Sequence, residues 1–343
     1  MKKRKIGIVL MAAVMMLGIP ATAYADDTVH TVNASVTKNL ELADGITVPD
    51  TTIIFFAEKL TADAPDAAVA PVKYSSADEK GELNAGKYTI SKEADISFGE
   101  FPHAGVYEYT VREVSGNEEG MTYSSESYEL RVYVVNQADG TLAIQSITAE
   151  KDGGKQEGIL FTNTDVKKGS LTISKNTVGN LADKTKDFSF DIEFIKSATE
   201  DADIPSYTGE IGEESVICNI GEKKTFSLHD GESLTFENLP AGTRYIVTEA
   251  GATDGYVPSV EVVENGMTTV TKSAADNQSL STADANETNL VGEGTNTVTY
   301  TNTYEDIPLT GVVLENLSYV LAAGMALLAM MILFVLRRCK KNL

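Results

Sequence analysis

The sequence is poor in the residues that crosslink or catalyse, with two cysteines, three histidines and no tryptophan among 343 residues. Cys339 lies in the C-terminal tail, which leaves Cys218 alone in the rest of the chain and excludes an internal disulfide there. We expect Cys218 to be a small buried hydrophobe, with a reactive thiol as the alternative. The histidines are scattered, and no phosphate loop, nucleophile elbow or metal-ligand spacing is present. The sequence therefore predicts neither a turnover enzyme nor a metal or cofactor site.

Positive charge is also scarce. Between Asp26 and Thr310 there are 20 basic and 49 acidic residues, a formal charge of −29. Such a charge argues against nucleic acid or anionic lipid as a partner. The acidic clusters lack the ligand spacing of a calcium loop, so we interpret them as solvated loops.

Both ends of the chain carry targeting signals. Basic residues at positions 2–5, an apolar run over 6–19 and a small-x-small site ending at Ala25 predict a signal peptide over residues 1–25. A permanent anchor is the alternative, although this run is short for a membrane span. Near the other end, Leu317 to Leu336 is long enough to cross a bilayer, at about 1.5 Å per residue. Basic residues at 337, 338, 340 and 341 place the following tail in the cytoplasm.

The segment 307–311 reads Ile-Pro-Leu-Thr-Gly and directly precedes the apolar span. With the span and the basic tail, residues 307–343 resemble the sorting signal that sortases, the cysteine transpeptidases of Gram-positive bacteria, recognise. The resemblance implies a precursor held in the plasma membrane, cleavage between Thr310 and Gly311, and transfer of Thr310 to an amine at the cell wall. The commoner motif begins with leucine, so Ile307 bears on which sortase class acts.

The region between these signals is typical of a β-protein. Phe188 to Phe194 alternates strictly between apolar and polar residues, and Val132 to Val135 is rich in β-branched residues. Turn residues separate such runs, and no long helical period appears. We predict an all-β fold of two tandem immunoglobulin-like β-sandwich domains. One segment, Lys272 to Gly294, is rich in Ser, Ala, Asp and Asn and predicts a long mobile loop.

An internal repeat divides this region in two. Three motifs recur in the same order at offsets of 137, 136 and 139 residues. The pairs are Val36–Asn39 with Ile173–Asn176, Tyr109–Glu113 with Tyr245–Glu249, and Phe161–Thr164 with Tyr300–Thr303. We therefore predict domains over residues 26–165 and 166–306, joined by a link short enough for a stiff rod.

Each repeat contains a lysine near its first strand, a glutamate in the middle and an asparagine in its last strand. Singly, each of these residues would be an ordinary surface or turn residue. The ordered, repeated triple within apolar neighbours points to a shared role. The two triples are Lys38, Glu113 and Asn163, and Lys175, Glu249 and Asn302.

With these motifs, the chain resembles Gram-positive pilins whose domains form intramolecular Lys–Asn isopeptide bonds. Phe101 through Glu113 to Asn163 is similar to the isopeptide domain of streptococcal-type major pilins, and Leu239 through Glu249 to Tyr256 also resembles collagen-adhesin B-type domains. The resemblance implies a Lys38–Asn163 bond assisted by Glu113, and a Lys175–Asn302 bond assisted by Glu249. Burial would keep each amine neutral and each glutamate protonated, and ammonia would leave once.

The sequence is compatible with two functions. In the first, the chain is a pilus shaft subunit, and sortase joins Thr310 of one copy to a lysine of the next copy or of another pilin. Lys155 is placed like the acceptor of the resembling pilins, and Lys151 is the alternative. In the second, the chain is a monomeric adhesin or stalk that Thr310 anchors directly to peptidoglycan, with a possible host ligand.

Overall fold

The computed structural model describes residues 34–200, 204–251 and 254–304. The predicted signal peptide, the Thr310–Gly311 cleavage site and the C-terminal span lie outside these residues. Every regular element in the described ranges is a β-strand, so the all-β prediction is confirmed there. No helix that could cross a membrane occurs in this part of the chain.

The first eleven strands lie within residues 34–165, which we call the N-terminal unit. These strands are β1 (Ala34–Ala43), β2 (Thr51–Lys59), β3 (Ala67–Val69), β4 (Val72–Tyr74), β5 (Lys87–Phe98), β6 (Gly105–Val114), β7 (Met121–Thr122), β8 (Ser127–Asn136), β9 (Leu142–Lys151), β10 (Gly154–Gln156) and β11 (Ile159–Asp165). They form two sheets with the strand orders β3-β5-β1-β11-β7 and β10-β9-β8-β6-β2-β4.

The remaining strands lie within residues 168–304, the C-terminal unit. They are β12 (Lys168–Val178), β13 (Phe188–Ile195), β14 (Ser206–Ile211), β15 (Glu214–Asn219), β16 (Lys223–Leu228), β17 (Ser233–Pro240), β18 (Arg244–Glu249), β19 (Tyr256–Glu264), β20 (Met267–Ser273), β21 (Leu280–Ser281), β22 (Asn289–Leu290) and β23 (Thr297–Tyr304). One sheet has the strand order β15-β14-β17-β12-β23-β19-β20, and the other has the order β16-β13-β18-β21, with β22 also paired to β18.

Alternating burial along the strands builds the core of each unit. The side chains of a strand point to opposite faces in turn, so a buried face shows apolar residues at every second position. The predicted alternation over Phe188 to Phe194 is confirmed, since all four aromatic or aliphatic positions of that face are buried. Ring contacts between the two sheets, such as Phe55 with Phe161 at 5.4 Å, show that the sheets of the N-terminal unit face each other. Cys218 is buried in the core of the C-terminal unit, as expected.

The first and last strands of each unit are adjacent and parallel. Strand β1 pairs with β11, and β12 pairs with β23, whereas the other pairings within the described residues are antiparallel. A parallel pair needs a long connection between its strands. In each unit that connection is almost the whole unit, so the first and last strands lie side by side while the chain enters and leaves at opposite ends of the pair.

The predicted loop from Lys272 to Gly294 is wrong in part. Its first residues belong to β20, and two short strands, β21 and β22, pair with β18 at the edge of the five-stranded sheet. Leu280 and Val291 are buried by this arrangement. The Ser, Ala and Asp content is typical of an unpaired segment. Pairing along the edge of β18 and burial of a few apolar residues nevertheless hold part of the segment in the sheet.

The two units are in contact around the turn that precedes β18. Ala241 is fully buried against the core of the N-terminal unit. Gly242 has a φ of +90°, and a Cβ there would lie 2.6 Å from the Cβ of Ala43. The Nη2 atom of Arg244 lies 2.5 Å from Oδ2 of Asp44 in the other unit. The link between β11 and β12 is therefore supported by direct packing.

Candidate functional site

Strand register brings the first predicted pair, Lys38 and Asn163, onto one buried face. Lys38 lies opposite Phe161, and Leu40 lies opposite Asn163, in the parallel pair of β1 and β11. Residues two apart on a strand share a face, so Lys38 and Asn163 point into the same core from neighbouring strands. Neither has exposed surface.

Glu113 reaches this pair from the opposite sheet. It ends the buried row of β6 that begins with Tyr107 and Tyr109. Lys38 Nζ donates to Glu113 Oε2 at 2.8 Å, and Asn163 Nδ2 donates to Glu113 Oε1 at 2.6 Å. Each carboxyl oxygen thus contacts one of the two side chains, and the carboxyl group bridges amine and amide.

The C-terminal unit repeats this arrangement at the same register. Lys175 lies opposite Tyr300 and Thr177 opposite Asn302 in the parallel pair of β12 and β23. Lys175 Nζ and Asn302 Nδ2 donate to Glu249 Oε1 at 3.0 and 2.8 Å. The structure therefore brings together all six residues of the two predicted triples, three in each unit.

Aromatic rings enclose both sites. Glu113 lies opposite Phe55, and Glu249 opposite Phe190, on equivalent neighbouring strands. The aromatic residue two positions before each asparagine contacts the ring across from the glutamate, with centroids 5.4 Å apart in the first unit and 5.2 Å in the second. These rings exclude water from the polar atoms and leave them in surroundings of low polarity.

Burial shifts the acid–base balance of Lys38, Lys175 and Glu249 toward their neutral forms. It lowers the pKa of the Lys38 amine, although the hydrogen bond and charge of Glu113 act in the opposite direction. Burial lowers the pKa of Lys175 to about 8, against the opposing effect of Glu249. It also raises the pKa of Glu249. A neutral amine beside a protonated carboxyl avoids the desolvation cost of a buried ion pair.

The two sites differ in how their remaining oxygens are satisfied. The backbone N–H of Ser124 donates to Asn163 Oδ1 at 2.9 Å. In the C-terminal unit, Asn302 Oδ1 and Glu249 Oε2 are buried without a hydrogen-bond partner among the described residues. Buried polar atoms normally have partners, and a proton on Glu249 Oε2 would supply a donor to this site.

Each site holds the three groups that aminolysis of an amide requires. The lysine supplies a nucleophile whose neutral form burial favours, the asparagine supplies an electrophilic carbonyl, and the glutamate contacts both nitrogens between which a proton must move. The sequence motifs identified these residues, but they did not identify Ser124. Its contribution is a backbone N–H, which leaves no signature in side-chain identity.

The two candidate acceptor lysines have different surroundings. Lys155 is exposed on β10, the edge strand of the six-stranded sheet, beside a shallow groove that Ala34, Ile147 and Ile159 help to line. Lys151 forms an ion pair with Glu126, which raises the pKa of the lysine. The structure does not bring either lysine near the buried triples, and Thr310 lies outside the described residues.

Two family matches divide the chain between β11 and β12, where the strand pairing also divides it. Residues 34–165 match the family described as the Spy0128-like isopeptide containing domain, FctA. Residues 169–304 match a domain of unknown function, DUF7601. The match to the isopeptide-containing domain family therefore covers the whole of the N-terminal unit.

Individual relatives are pilus proteins by name. The chain is 29% identical to a pilin of Streptococcus pyogenes serotype M1 over 273 residues, which cover 72% of this chain and 78% of the pilin. It is 46% identical to the pilus tip adhesin Cpa of Streptococcus pyogenes over 84 residues, 24% of this chain and 12% of the adhesin. Among solved structures, the major pilin of Streptococcus pyogenes is 26% identical with a TM-score of 0.36, covering 80% of this chain and 99% of that one.

Proposed function

We propose that this chain is a structural subunit of a Gram-positive pilus, built from two domains that each close a covalent Lys–Asn crosslink. The domains extend over residues 26–165 and 166–306. The observation that carries the proposal is the repeated buried triple, in which one glutamate contacts both the lysine and the asparagine. The pilin relatives and the isopeptide-containing family of the N-terminal unit support it.

The reaction at each site is a single self-processing step. The neutral lysine Nζ attacks the asparagine Cγ, and the glutamate accepts a proton from Nζ and returns one to Nδ2. The Nζ–Cγ bond forms, the Cγ–Nδ2 bond breaks, and ammonia leaves. No co-reactant is consumed, and the product is an amide that cannot react again in the same way. The chain is therefore not a turnover enzyme.

The crosslink stabilises each domain by tying its first strand to its last. Lys38 and Asn163 enclose about 125 residues, and Lys175 and Asn302 about 127. A crosslink that closes a loop of this size restricts the unfolded chain and contributes about 5 kcal/mol in the chain-entropy model. These bonds take the place of the disulfides that the mature chain cannot form.

In this proposal, sortase joins the subunits. It cleaves between Thr310 and Gly311 after the signal peptide has been removed at Ala25, and it transfers Thr310 to Lys155 of the next copy. The exposed position of Lys155 favours it over Lys151, which is held by Glu126. The end of the fibre is then attached to peptidoglycan, and the working location is the cell surface.

Mass spectrometry of the folded chain tests the crosslinks. We expect the intact mass to be lower than the mass calculated from the sequence by one ammonia per bond. Digestion should release the Lys38–Asn163 and Lys175–Asn302 linked peptides. Glu113→Gln and Glu249→Gln are the matched variants, because each keeps the size of the side chain but removes the acid. Each variant should be heavier by one ammonia than the doubly crosslinked chain, because only the bond in the mutated domain fails to form. An unmodified mass in the wild-type chain would exclude the proposal.

A single wall-anchored adhesin is the second candidate function. The 84-residue match to a pilus tip adhesin favours it, and a host ligand would then be its partner. Detergent extraction of cell-wall material separates the two functions. A ladder of covalent multimers identifies the shaft subunit, whereas one band of subunit size identifies the anchored adhesin.

A further inference from the structure

The two triples differ at the carbonyl group that would be attacked. Asn163 Oδ1 accepts a hydrogen bond of 2.9 Å from the backbone N–H of Ser124. The equivalent atom of the second site, Asn302 Oδ1, is buried and has no such donor within the described residues. The reacting side chains are the same in both sites, so this backbone contact distinguishes them.

Strand topology explains the difference. Strand β7 pairs with β11 only at Thr164 and Asp165, and it ends at Thr122. The loop of residues 123–126 follows, and its Ser124 N–H is available to the side chain of Asn163. In the C-terminal unit, β19 runs along the whole of β23, and the residue opposite Asn302 is Pro258. At the position that corresponds to Ser124, Ser259 pairs with Thr301 of β23 and with Ser273 of β20, so the backbone of β19 is used in the sheet ladders, and Pro258 beside it has no N–H.

The Ser124 contact also fixes the orientation of the Asn163 amide. A backbone N–H can only donate, so the atom that faces it is Oδ1 and not Nδ2. Nδ2 is then directed at Glu113 Oε1, 2.6 Å away, while Glu113 Oε2 contacts Lys38 Nζ. The leaving nitrogen thus faces one oxygen of the carboxyl group and the attacking nitrogen faces the other.

We propose that the backbone N–H of Ser124 is a catalytic donor that stabilises negative charge on Asn163 Oδ1 while Lys38 attacks. This inference rests on the proposed self-crosslinking. As the Nζ–Cγ bond forms, the electron pair of the carbonyl moves onto Oδ1, where the N–H is already in place. Glu113 takes a proton from Nζ at Oε2 and delivers one to Nδ2 from Oε1. The carbonyl then re-forms, the Cγ–Nδ2 bond breaks, and ammonia leaves.

Preorganised donors of this kind have large effects on acyl transfer. Removal of one donor from an oxyanion site typically slows the reaction about 100- to 1000-fold. We therefore expect loss of the Ser124 N–H to slow formation of the Lys38–Asn163 bond by about 100-fold or more. The Lys175–Asn302 bond, in the other unit, should form at its wild-type rate and serves as an internal reference.

The donor can be removed in two ways with one matched control. Cell-free translation can place the α-hydroxy analogue of serine at position 124, which replaces the N–H by an ester oxygen and keeps the side chain. Ser124→Pro removes the same N–H genetically, and Ser124→Ala keeps it while removing the hydroxyl. Samples of the full chain are quenched in denaturant at successive times and digested, and mass spectrometry quantifies both linked peptides.

The expected result is slow Lys38–Asn163 bond formation in the ester and proline variants, with a wild-type rate in Ser124→Ala. Thermal unfolding of Ser124→Pro in a Lys38→Ala background, where no first bond forms, measures any purely structural effect. If proline prevents folding, the ester variant decides. A first-site rate within about threefold of wild type in the ester variant would overturn the donor role, since the normal effect is about 100-fold. Absence of both linked peptides in the wild-type chain would instead overturn the proposed function, and this inference with it.

Discussion

Lys175→Met tests how much the second crosslink contributes to the stability of the C-terminal unit. Methionine has a similar length and can pack where the Lys175 Nζ now lies, 4.2 Å from the centroid of the Phe188 ring. It leaves no ammonium in the core, so the variant avoids the cost of an unpaired buried charge. Asn302 and Glu249 keep their mutual hydrogen bond.

The loss expected from this variant follows from the loop that the bond closes. For about 127 residues, the chain-entropy model gives about 5 kcal/mol, and a volume-conserving change in a core adds less than about 1.5 kcal/mol of either sign. For a unit of this size, that loss corresponds to a fall in Tm of roughly 15–25 °C. The N-terminal unit retains its own bond and should unfold at its wild-type temperature.

Guanidinium denaturation and calorimetry of the full chain measure this loss. A double-mutant cycle with Glu249→Gln removes the packing term, because Lys175→Met in that uncrosslinked background changes only local contacts. A loss of less than about 1 kcal/mol in Lys175→Met, with the linked peptide present in the wild-type chain, would contradict a stabilising role for the bond.

Three further outcomes are expected. The rate of Lys175–Asn302 bond formation should fall about tenfold per pH unit below pH 8, because the pKa of Lys175 is lowered to about 8 and only the neutral amine attacks. Mass spectrometry after refolding from denaturant measures this rate, and a constant rate between pH 8 and 6 would contradict the expectation. Lys155→Arg should abolish the covalent ladder in cell-wall extracts, and Lys151→Arg, the matched control, should preserve it. Arg244→Ala should change Tm little, since its partly exposed ion pair with Asp44 contributes about 1 kcal/mol at most. The same substitution should broaden the distribution of angles between the two units, as measured by X-ray scattering. An unchanged scattering profile would show that packing alone fixes the junction.

The sequence allowed the triples to be predicted because each member stands in a row of alternating apolar residues. Lys38 continues the buried face of Val36 and Leu40, and Asn163 continues that of Phe161. A charged residue on such a face has to be neutral or paired. The near-constant repeat offset then linked residues that are far apart in the chain, although it gave no information on distances or register.

Other features depend on contacts that a side-chain pattern does not encode. The Ser124 N–H acts through the backbone, and its availability depends on where β7 stops pairing with β11. The folded part of residues 272–294 depends on the free edge of β18, which only the completed sheet defines. Ala241 and Gly242 lie just before a repeated motif in the sequence, but nothing in that motif indicates that they pack against the other unit.

The parallel pairing of the first and last strands has a consequence for variation along the chain. Once both bonds have formed, a pull on the two ends passes through β1 as far as Lys38, across to Asn163, along the link to Lys175, and across to Asn302. Residues 39–162 and 176–301 are bypassed by that route. Their loops can therefore lengthen, shorten or change sequence without altering the strength or the contour length of the fibre. The surface of each unit can then diverge in sequence while the covalent path between the two ends stays constant.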